Sequence, residues 1–233
     1  MNKISKKDRV YSVAVIIPCK DEALSIPKVI SDLRQHLPNS EIIIGDNYSK
    51  DQTSNIAESL GCKVIMEPKS GKGNTIRALL SHVSAEYIVM IDGDGESDVA
   101  SIEVMLETIT KFNADMVIAR RISSQKNVAR KGHKLGNILV TKFFNILFKS
   151  NYQDVLSGYR ILSSNFAKNF PCNSNGFEVE VELNAYAARN NASVLEVESR
   201  YLPRAYGTKS KLRTFIDGFY IIKKIIQLRI RYK

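Results

Sequence analysis

The chain has 233 residues, of which 44% are hydrophobic and 25% charged, and its net charge at pH 7 is +10. This length allows a sizeable core, and the composition is ordinary for a soluble globular protein built as one large α/β domain. No run of 18 apolar residues and no signal-peptide core is present, which predicts neither a membrane-spanning helix nor a secretory leader. Three scattered cysteines without metal-ligand spacing fit the reduced thiols of a cytoplasmic protein.

The first half of the chain alternates apolar runs, which predict buried strands, with amphipathic stretches, which predict helices. The predicted strands cover residues 11–17, 41–45, 63–66, 88–91 and 115–119. The predicted helices begin near residues 25, 53, 74 and 99. Strands that alternate with helices imply right-handed crossovers and a mostly parallel sheet.

The second half of the chain has a different pattern. It predicts a helix over residues 135–148, a helix near 178–189, a strand near 193–197 and a basic loop over 204–213. The last 20 residues predict an amphipathic helix, with Phe215, Phe219, Ile222 and Ile226 on one face and Lys224, Gln227 and Arg231 on the other. This helix is expected either to pack on the sheet as core or to face a membrane.

An acid-rich loop follows the fourth predicted strand. The apolar run that ends at Ile91 is followed by Asp92, Asp94, Glu96 and Asp98, with a glycine after each of the first two. These carboxylates repel one another unless a cation lies among them, so the loop predicts a metal site at the carboxyl end of a buried strand. The alternative is a solvated loop that caps the next helix.

Three further strand ends carry polar or flexible residues, and all are expected at the same edge of the sheet. They are Asp21 with Glu22, Asp46 with Asp51, and the loop 71–73, which contains Lys72. Asp46 could accept hydrogen bonds from a uracil or a ribose, and Lys72 brings a charge to phosphate, although each feature alone could be a cap or a turn. The sequence lacks the glycines that a dinucleotide-binding fold and a P-loop require, which excludes both motifs. The pattern favours a nucleoside diphosphate held through a divalent ion.

Taken in order, these motifs resemble family 2 glycosyltransferases of the GT-A fold, close to the polyprenyl-phosphate (dolichol-phosphate) sugar synthase group. The matching segments are Pro18-Cys-Lys-Asp-Glu22, Asp46-Asn-Tyr-Ser-Lys-Asp-Gln-Thr53, Gly71-Lys-Gly73, Asp92-Gly-Asp94, Ala119-Arg-Arg121, Ser157-Gly-Tyr-Arg160, Gly176-Phe-Glu-Val-Glu180 and residues 204–212. Asn47 and Tyr48 depart from the usual Asp-Gly. Close relatives continue into hydrophobic membrane segments, whereas this sequence ends at Lys233, so attachment to the membrane surface, directly or through a small membrane partner, is expected.

The resemblance also implies roles for particular residues. Those implied to hold the nucleotide sugar are Pro18, Asp21, Glu22, Asp46, Lys72, Asp92 and Gly93. Those implied to surround Mg²⁺ or Mn²⁺ are Asp92, Asp94 and Glu96. Catalysis is implied for Asp94, Arg120, Arg204 and Lys211, and contact with an acceptor phosphate for Arg130, Ser157, Arg160 and Ser210.

The nature of the acceptor decides whether a base is needed. A phosphate acceptor is already an anionic nucleophile, because its second pKa is about 6. A sugar hydroxyl would require a general base, for which Asp154 and Glu180 are the candidates. The basic second half favours the phosphate: residues 111–150 contain nine Lys or Arg and a single acid, and residues 200–233 contain ten and a single acid.

The resulting prediction is an α/β protein of the GT-A fold, with a Rossmann-like, mostly parallel central sheet flanked by helices and a C-terminal amphipathic helix. One domain would span 1–233, with a nucleotide-sugar half over 11–120, an acceptor half over 121–213 and the helix 214–233. The enzyme would be inverting and metal-dependent, and would transfer a sugar from a UDP- or GDP-linked donor to a polyprenyl phosphate at the cytoplasmic membrane face. One rival is transfer to a sugar hydroxyl of a cell-surface glycan precursor. The other is a non-catalytic nucleic-acid-binding module. A basic stripe interleaved with aromatic residues would favour the second rival, and the sequence lacks one.

Overall fold

A computed structural model describes residues 12–122, 131–204 and 214–231. The first-half elements are the strands β1 (Val13–Cys19), β2 (Glu41–Asp46), β3 (Lys63–Met66), β4 (Tyr87–Met90) and β5 (Met116–Ile122), and the helices α1 (Ile26–His36), α2 (Thr53–Ser59), α3 (Lys72–Ser81) and α4 (Ser101–Phe112). The second-half elements are α5 (Lys131–Phe148), β6 (Arg160–Ser163), α6 (Ser164–Asn169), α7 (Val179–Arg189), β7 (Val194–Arg200) and α8 (Thr214–Arg231). None of these helices is long and apolar enough to cross a membrane.

Seven strands form one sheet in the order β3-β2-β1-β4-β6-β5-β7. All neighbours are parallel except β6, which runs antiparallel to both β4 and β5. The predicted mixed α/β fold with a mostly parallel central sheet is confirmed. The sequence did not predict β6, because its apolar run is only Ile161-Leu162. Being antiparallel, β6 places its first residues at the edge where its neighbours end.

Both faces of the sheet are covered by helices. One face packs on α1, α2 and α4 through the inward positions of β1, such as Val15 and Ile17. The other face, which includes Ile16 and Met90, packs on α3, α6 and α7. Because successive strand residues point to opposite faces, strands buried on both sides are continuously apolar, as the sequence pattern predicted.

A third, smaller core joins α5, α7 and α8, with Phe144 of α5 at its centre. Helix α8 contributes Ile221, Ile225 and Leu228 to this core, while Phe219 and Ile226 are exposed. The face buried in this core is therefore not centred on the predicted apolar face, of which Phe219 and Ile226 are exposed and Ile222 packs partly against the core. The helix has a buried apolar face and a separate exposed apolar stripe, because its apolar residues extend around more than half of its circumference.

Candidate functional site

The loops after β1 and β2 interlock through their polar residues. The backbone N–H of Asp21 donates to the hydroxyl of Ser49 (2.9 Å), and Asp21 Oδ1 accepts from the N–H of Lys50 (2.6 Å). The N–H of Glu22 donates to Thr53 (2.8 Å). Pro18 pairs with Gly45 at the adjoining ends of the two strands. These motif residues thus build the loops at the carboxyl edge of the sheet.

Asp46 also has a structural role. Its carboxylate accepts from the N–H of Ser49 (2.7 Å) and from the hydroxyl of Ser54, and the residue is completely buried. The predicted contact between Asp46 and a nucleoside stays a prediction; in this structure the Asp46 carboxylate is buried and shapes the loop. Asn47, which replaces an acid of the family pattern, accepts from the N–H of Gly71 (2.7 Å) and ties this loop to the start of α3.

Lys72 lies between two carboxylates at the start of α3. Its Nζ is 2.6 Å from Asp92 Oδ1 and 2.7 Å from Glu180 Oε1. Burial alone lowers the pKa of Lys72, but the charges of Asp92 and Glu180 outweigh it and leave the pKa above its usual value. Gly158 lies beside this group, and a Cβ there would lie 2.7 Å from both Asp92 Oδ2 and Lys72 Nζ, so a larger residue would displace these side-chain ends. Lys72 is thus a largely enclosed, charged group at the sheet edge.

Asp94 and Glu96 of the acidic loop converge on Arg204. Its Nη2 is 2.7 Å from Asp94 Oδ2 and 2.8 Å from Glu96 Oε2, and its Nε is 3.2 Å from Glu96 Oε1. Burial raises the pKa of Asp94 to about 7, with the charges of Asp92 and Glu96 adding to it and Arg204 opposing it. Asp94 and Glu96 therefore already share one cation.

Tyr201 completes this cluster, and the sequence analysis did not predict it. Its hydroxyl donates to Glu96 Oε2 (2.7 Å), and the Arg121 guanidinium lies 5.9 Å from the centre of its ring. The segment of Tyr201 is held against the acidic loop by a bridge with Ser97 and by the N–H of Leu202, which donates to Glu96 O (2.8 Å). Only its position three residues before Arg204 could have suggested it.

The predicted three-acid metal site is divided in this structure. Asp92 faces Lys72, whereas Asp94 and Glu96 face Arg204. Across the described ranges, no three acidic, histidine or cysteine side chains are arranged to hold a metal ion. A pair of convergent carboxylates nevertheless fits Mg²⁺ or Mn²⁺, because such ions are commonly held by one or two carboxylates together with substrate phosphates and water.

Arg121, and not the predicted Arg120, points into the site. Arg121 makes a two-pronged ion pair with Asp154, at 2.7 Å (Nε to Oδ2) and 2.9 Å (Nη2 to Oδ1). Arg120 instead pairs with Glu198 on the neighbouring strand β7. Alternation along β5 explains the correction, because consecutive residues of a strand point to opposite faces.

Arg160 and Ser157, the two described residues predicted to contact an acceptor phosphate, are buried and hydrogen-bonded within the protein. Arg160 is completely buried, and its guanidinium donates to Ser157 O (2.8 Å), Asn184 Oδ1 (2.7 Å) and Val155 O (3.2 Å). Burial lowers its pKa to about 10. The buried hydroxyl of Ser157 donates to Ala119 O (2.7 Å). Both side chains hold the start of β6 in place, so neither is available to a ligand.

The two candidate bases are also enclosed. Asp154 is almost fully buried, and although burial raises its pKa, the ion pair with Arg121 outweighs this and lowers it. Burial raises the pKa of Glu180, and Lys72 opposes that rise. Glu180 Oε2 is buried and has no hydrogen-bond partner among the described residues.

Three predicted site residues, Arg130, Ser210 and Lys211, lie outside the described residues. The remaining predicted residue, Gly93, is buried, and its carbonyl accepts from the hydroxyl of Ser25 (2.7 Å). A Cβ at this position would lie 2.6 Å from Cys19 Sγ, so the close approach of β1 requires glycine.

Comparison with known proteins gives a consistent result. The sequence model of glycosyl transferase family 2 matches residues 14–169. Glycosyltransferase AglJ of Haloferax volcanii is 30% identical over 216 residues, which are 92% of this chain and 71% of AglJ. Protein RfbJ of Shigella flexneri is 39% identical over 125 residues, 53% of this chain and 97% of RfbJ.

Solved structures with the same fold include glucosyl-3-phosphoglycerate synthase from Mycobacterium tuberculosis. Its complex with Mn²⁺, UDP-glucose and phosphoglyceric acid superposes with a TM-score of 0.76 at 18% sequence identity, covering 94% of this chain and 80% of that one. At this identity the likeness establishes the fold.

Proposed function

We propose that this chain, which belongs to glycosyl transferase family 2 and is a glycosyltransferase, moves a sugar from a nucleotide-diphosphate sugar to a polyprenyl phosphate. The donor is UDP- or GDP-linked, the cofactor is Mg²⁺ or Mn²⁺, and the anomeric carbon is inverted. A structural neighbour crystallised with Mn²⁺ and UDP-glucose supports a metal-dependent enzyme with a nucleotide-sugar donor.

The observation that carries the choice of acceptor is the state of the two candidate bases. Asp154 is held at both oxygens by Arg121, and its pKa is lowered, which makes it a weak base. Glu180 is 4% exposed and its Oε1 is paired with Lys72, so an acceptor hydroxyl cannot reach it in this conformation. A nucleophile that is already anionic needs neither residue, because a phosphate monoester is largely a dianion above pH of about 6.

The same site suits a reaction between two anions. An acceptor phosphate oxygen attacks the anomeric carbon as the bond from that carbon to the diphosphate oxygen breaks, and the nucleoside diphosphate leaves. Arg121, now paired with Asp154, and Arg204, now paired with Asp94 and Glu96, lie at this edge of the sheet, and their planar guanidinium forks would neutralise and orient phosphate groups once released from these carboxylates. Asp94 and Glu96 would hold the divalent ion, which stabilises the charge that develops on the departing diphosphate.

A lipid acceptor also requires a membrane-facing surface, and α5 with α8 supplies a candidate. Most of the exposed large apolar side chains in the described part of the chain lie on these two helices: Leu135, Ile138, Leu139, Ile146, Phe219, Tyr220, Ile226 and Ile230. Exposed Lys142 and Lys223 lie among them. Apolar residues interspersed with basic ones suit the headgroup region of an anionic bilayer. We therefore place the protein peripherally on the inner face of the cell membrane.

The rivals have less support. Transfer to a sugar hydroxyl would need a base that neither Asp154 nor Glu180 provides in this conformation. Membership of an enzyme family sets aside a non-catalytic nucleic-acid module.

The experiment is a two-step screen of donors and acceptors. UDP- and GDP-sugars are first tested for thermal stabilisation of the protein with Mn²⁺ and with excess chelator. The stabilising donors are then incubated with a polyprenyl phosphate in detergent, and the product is identified by mass spectrometry. A glycosyl phosphate lipid that forms only with metal is expected. Stabilisation by donors without any lipid product would overturn the acceptor, and the absence of stabilisation by every donor would overturn the donor class.

A further inference from the structure

The feature of interest is the occupation of the Asp94–Glu96 carboxylate pair by a side chain of the same protein. The Arg204 guanidinium contacts both carboxylates within 2.8 Å, and both acids are only 16% exposed. Tyr201 donates to Glu96 from another side. Arg204 thus lies where a cation shared by the two acids belongs.

We propose that Arg204 is a built-in competitor of the divalent ion, which must displace this guanidinium before it can bind Asp94 and Glu96. The two cannot share the pair, because Mg²⁺ binds carboxylate oxygens at about 2.0–2.1 Å and two positive groups at such short separation repel strongly. Lys72, another cation of the site, does not compete, since it is engaged by Asp92 and Glu180.

The anchoring of Arg204 permits the displacement. Its backbone is tied to the acidic loop two residues earlier, where the N–H of Leu202 donates to Glu96 O (2.8 Å). The long arginine side chain can therefore leave the carboxylates while the chain stays in place. If the proposed function holds, the donor diphosphate offers the released guanidinium a new partner, so that metal and nucleotide bind cooperatively. Without the nucleotide, the protein would bind the divalent ion weakly.

Binding of Mn²⁺ alone, without nucleotide, tests this inference. Free Mn²⁺ is measured by electron paramagnetic resonance during titration of the wild-type protein and the Arg204→Gln variant. Removal of a direct competitor is expected to tighten Mn²⁺ binding by roughly tenfold or more, since a charge-assisted pair contributes about this much. Arg120→Gln is the matched control, because it removes the same charge from a guanidinium that pairs with Glu198.

The outcomes separate competition from a general effect of charge. Tighter binding in Arg204→Gln with little change in Arg120→Gln supports the inference. Equal or weaker binding in Arg204→Gln, or an equal gain in both variants, overturns it. Either result leaves the proposed function standing as long as nucleotide sugar with Mn²⁺ stabilises the wild-type protein. Circular dichroism checks that each variant is folded. If Arg204→Gln does not fold, Arg204→Lys replaces it; this variant keeps the charge but loses the fork, and its Mn²⁺ affinity should lie between those of the wild type and of a protein without the competitor.

Discussion

Replacing Lys72 with methionine tests the electrostatics of the site most sharply. Met keeps most of the apolar stem of the side chain but removes the charge that Asp92 and Glu180 share. Because Glu180 is buried and Asp92 is two-thirds buried, two like charges would then face each other with little water between them. Removal of one partner from a buried ion pair costs about 3–5 kcal/mol. We expect the free energy of unfolding at pH 8 to fall by that amount.

A second substitution isolates the cause of this loss. In the double variant Lys72→Met with Glu180→Gln, Asp92 is the one residue of the three-residue ion-pair group that keeps its charge, and its side chain is partly exposed to water. The double variant should therefore be more stable than the single one, by about 2 kcal/mol. Lys28→Met is the matched control, because Lys28 pairs with Asp32 at the exposed surface of α1. This substitution should lower the free energy of unfolding by no more than about 0.5 kcal/mol.

The pH dependence has a definite sign. Burial raises the pKa of Glu180 and Lys72 opposes that rise, so in Lys72→Met the pKa of Glu180 lies further above that of the unfolded chain and its ionisation destabilises the folded state. This penalty is present at high pH and disappears as the pH falls through the raised pKa. The stability deficit relative to wild type should thus narrow between pH 8 and pH 5.

Urea unfolding followed by far-UV circular dichroism measures these quantities, since the chain contains no tryptophan. A deficit below about 1 kcal/mol for Lys72→Met would refute the reasoning. So would a double variant no more stable than the single one, or a deficit that widens as the pH falls.

Three further predictions concern the metal, the core and the membrane surface. Asp94→Asn should abolish Mn²⁺-dependent donor binding measured by thermal shift, whereas Asp98→Asn, which keeps its capping bond to Ala100, should retain it; retention by both would argue against the carboxylate pair. Arg160→Met should lower the urea midpoint without changing the KM of the folded fraction for the acceptor, and a raised KM would restore the predicted phosphate contact. Lys142→Glu with Lys223→Glu should reduce cosedimentation with anionic vesicles at low salt by about tenfold or more, since each basic residue near the surface contributes about 1 kcal/mol; unchanged binding would remove α5 and α8 from the membrane contact.

The sequence predicted the parallel part of the fold well, and the physical reason is local. Strands such as β1 and β4 are buried on both faces, so their apolar runs are continuous and end where the polar loops begin. The antiparallel strand β6 has only four residues, and its pairing depends on partners far along the chain. No local pattern encodes that pairing.

The candidate site was predicted in position but not in detail. Lys72 and the acidic loop come together at the carboxyl edge as expected from strand order, and Arg204, whose role was implied only by the family resemblance, joins them there. Tertiary packing fixes the directions of the side chains and so decides which acid faces which cation. For that reason the sequence did not predict that Asp92 pairs with Lys72 and Asp94 with Arg204. The choice between Arg120 and Arg121 depends on strand facing at the end of β5, where both residues are polar and the alternation of apolar residues no longer indicates the face.

The acceptor is the central claim, and one measurement addresses it directly: the initial rate of transfer to a polyprenyl phosphate compared with the rate to the corresponding polyprenol, using the same chain length, donor, metal and detergent. The only difference between the two acceptors is the anionic phosphate, which needs no general base, against a hydroxyl, which does. General-base catalysis contributes about 10²–10⁴ to such reactions, so we predict a rate with the phosphate at least a hundredfold higher. Equal rates with the two lipids, or transfer only to the hydroxyl, would contradict the account.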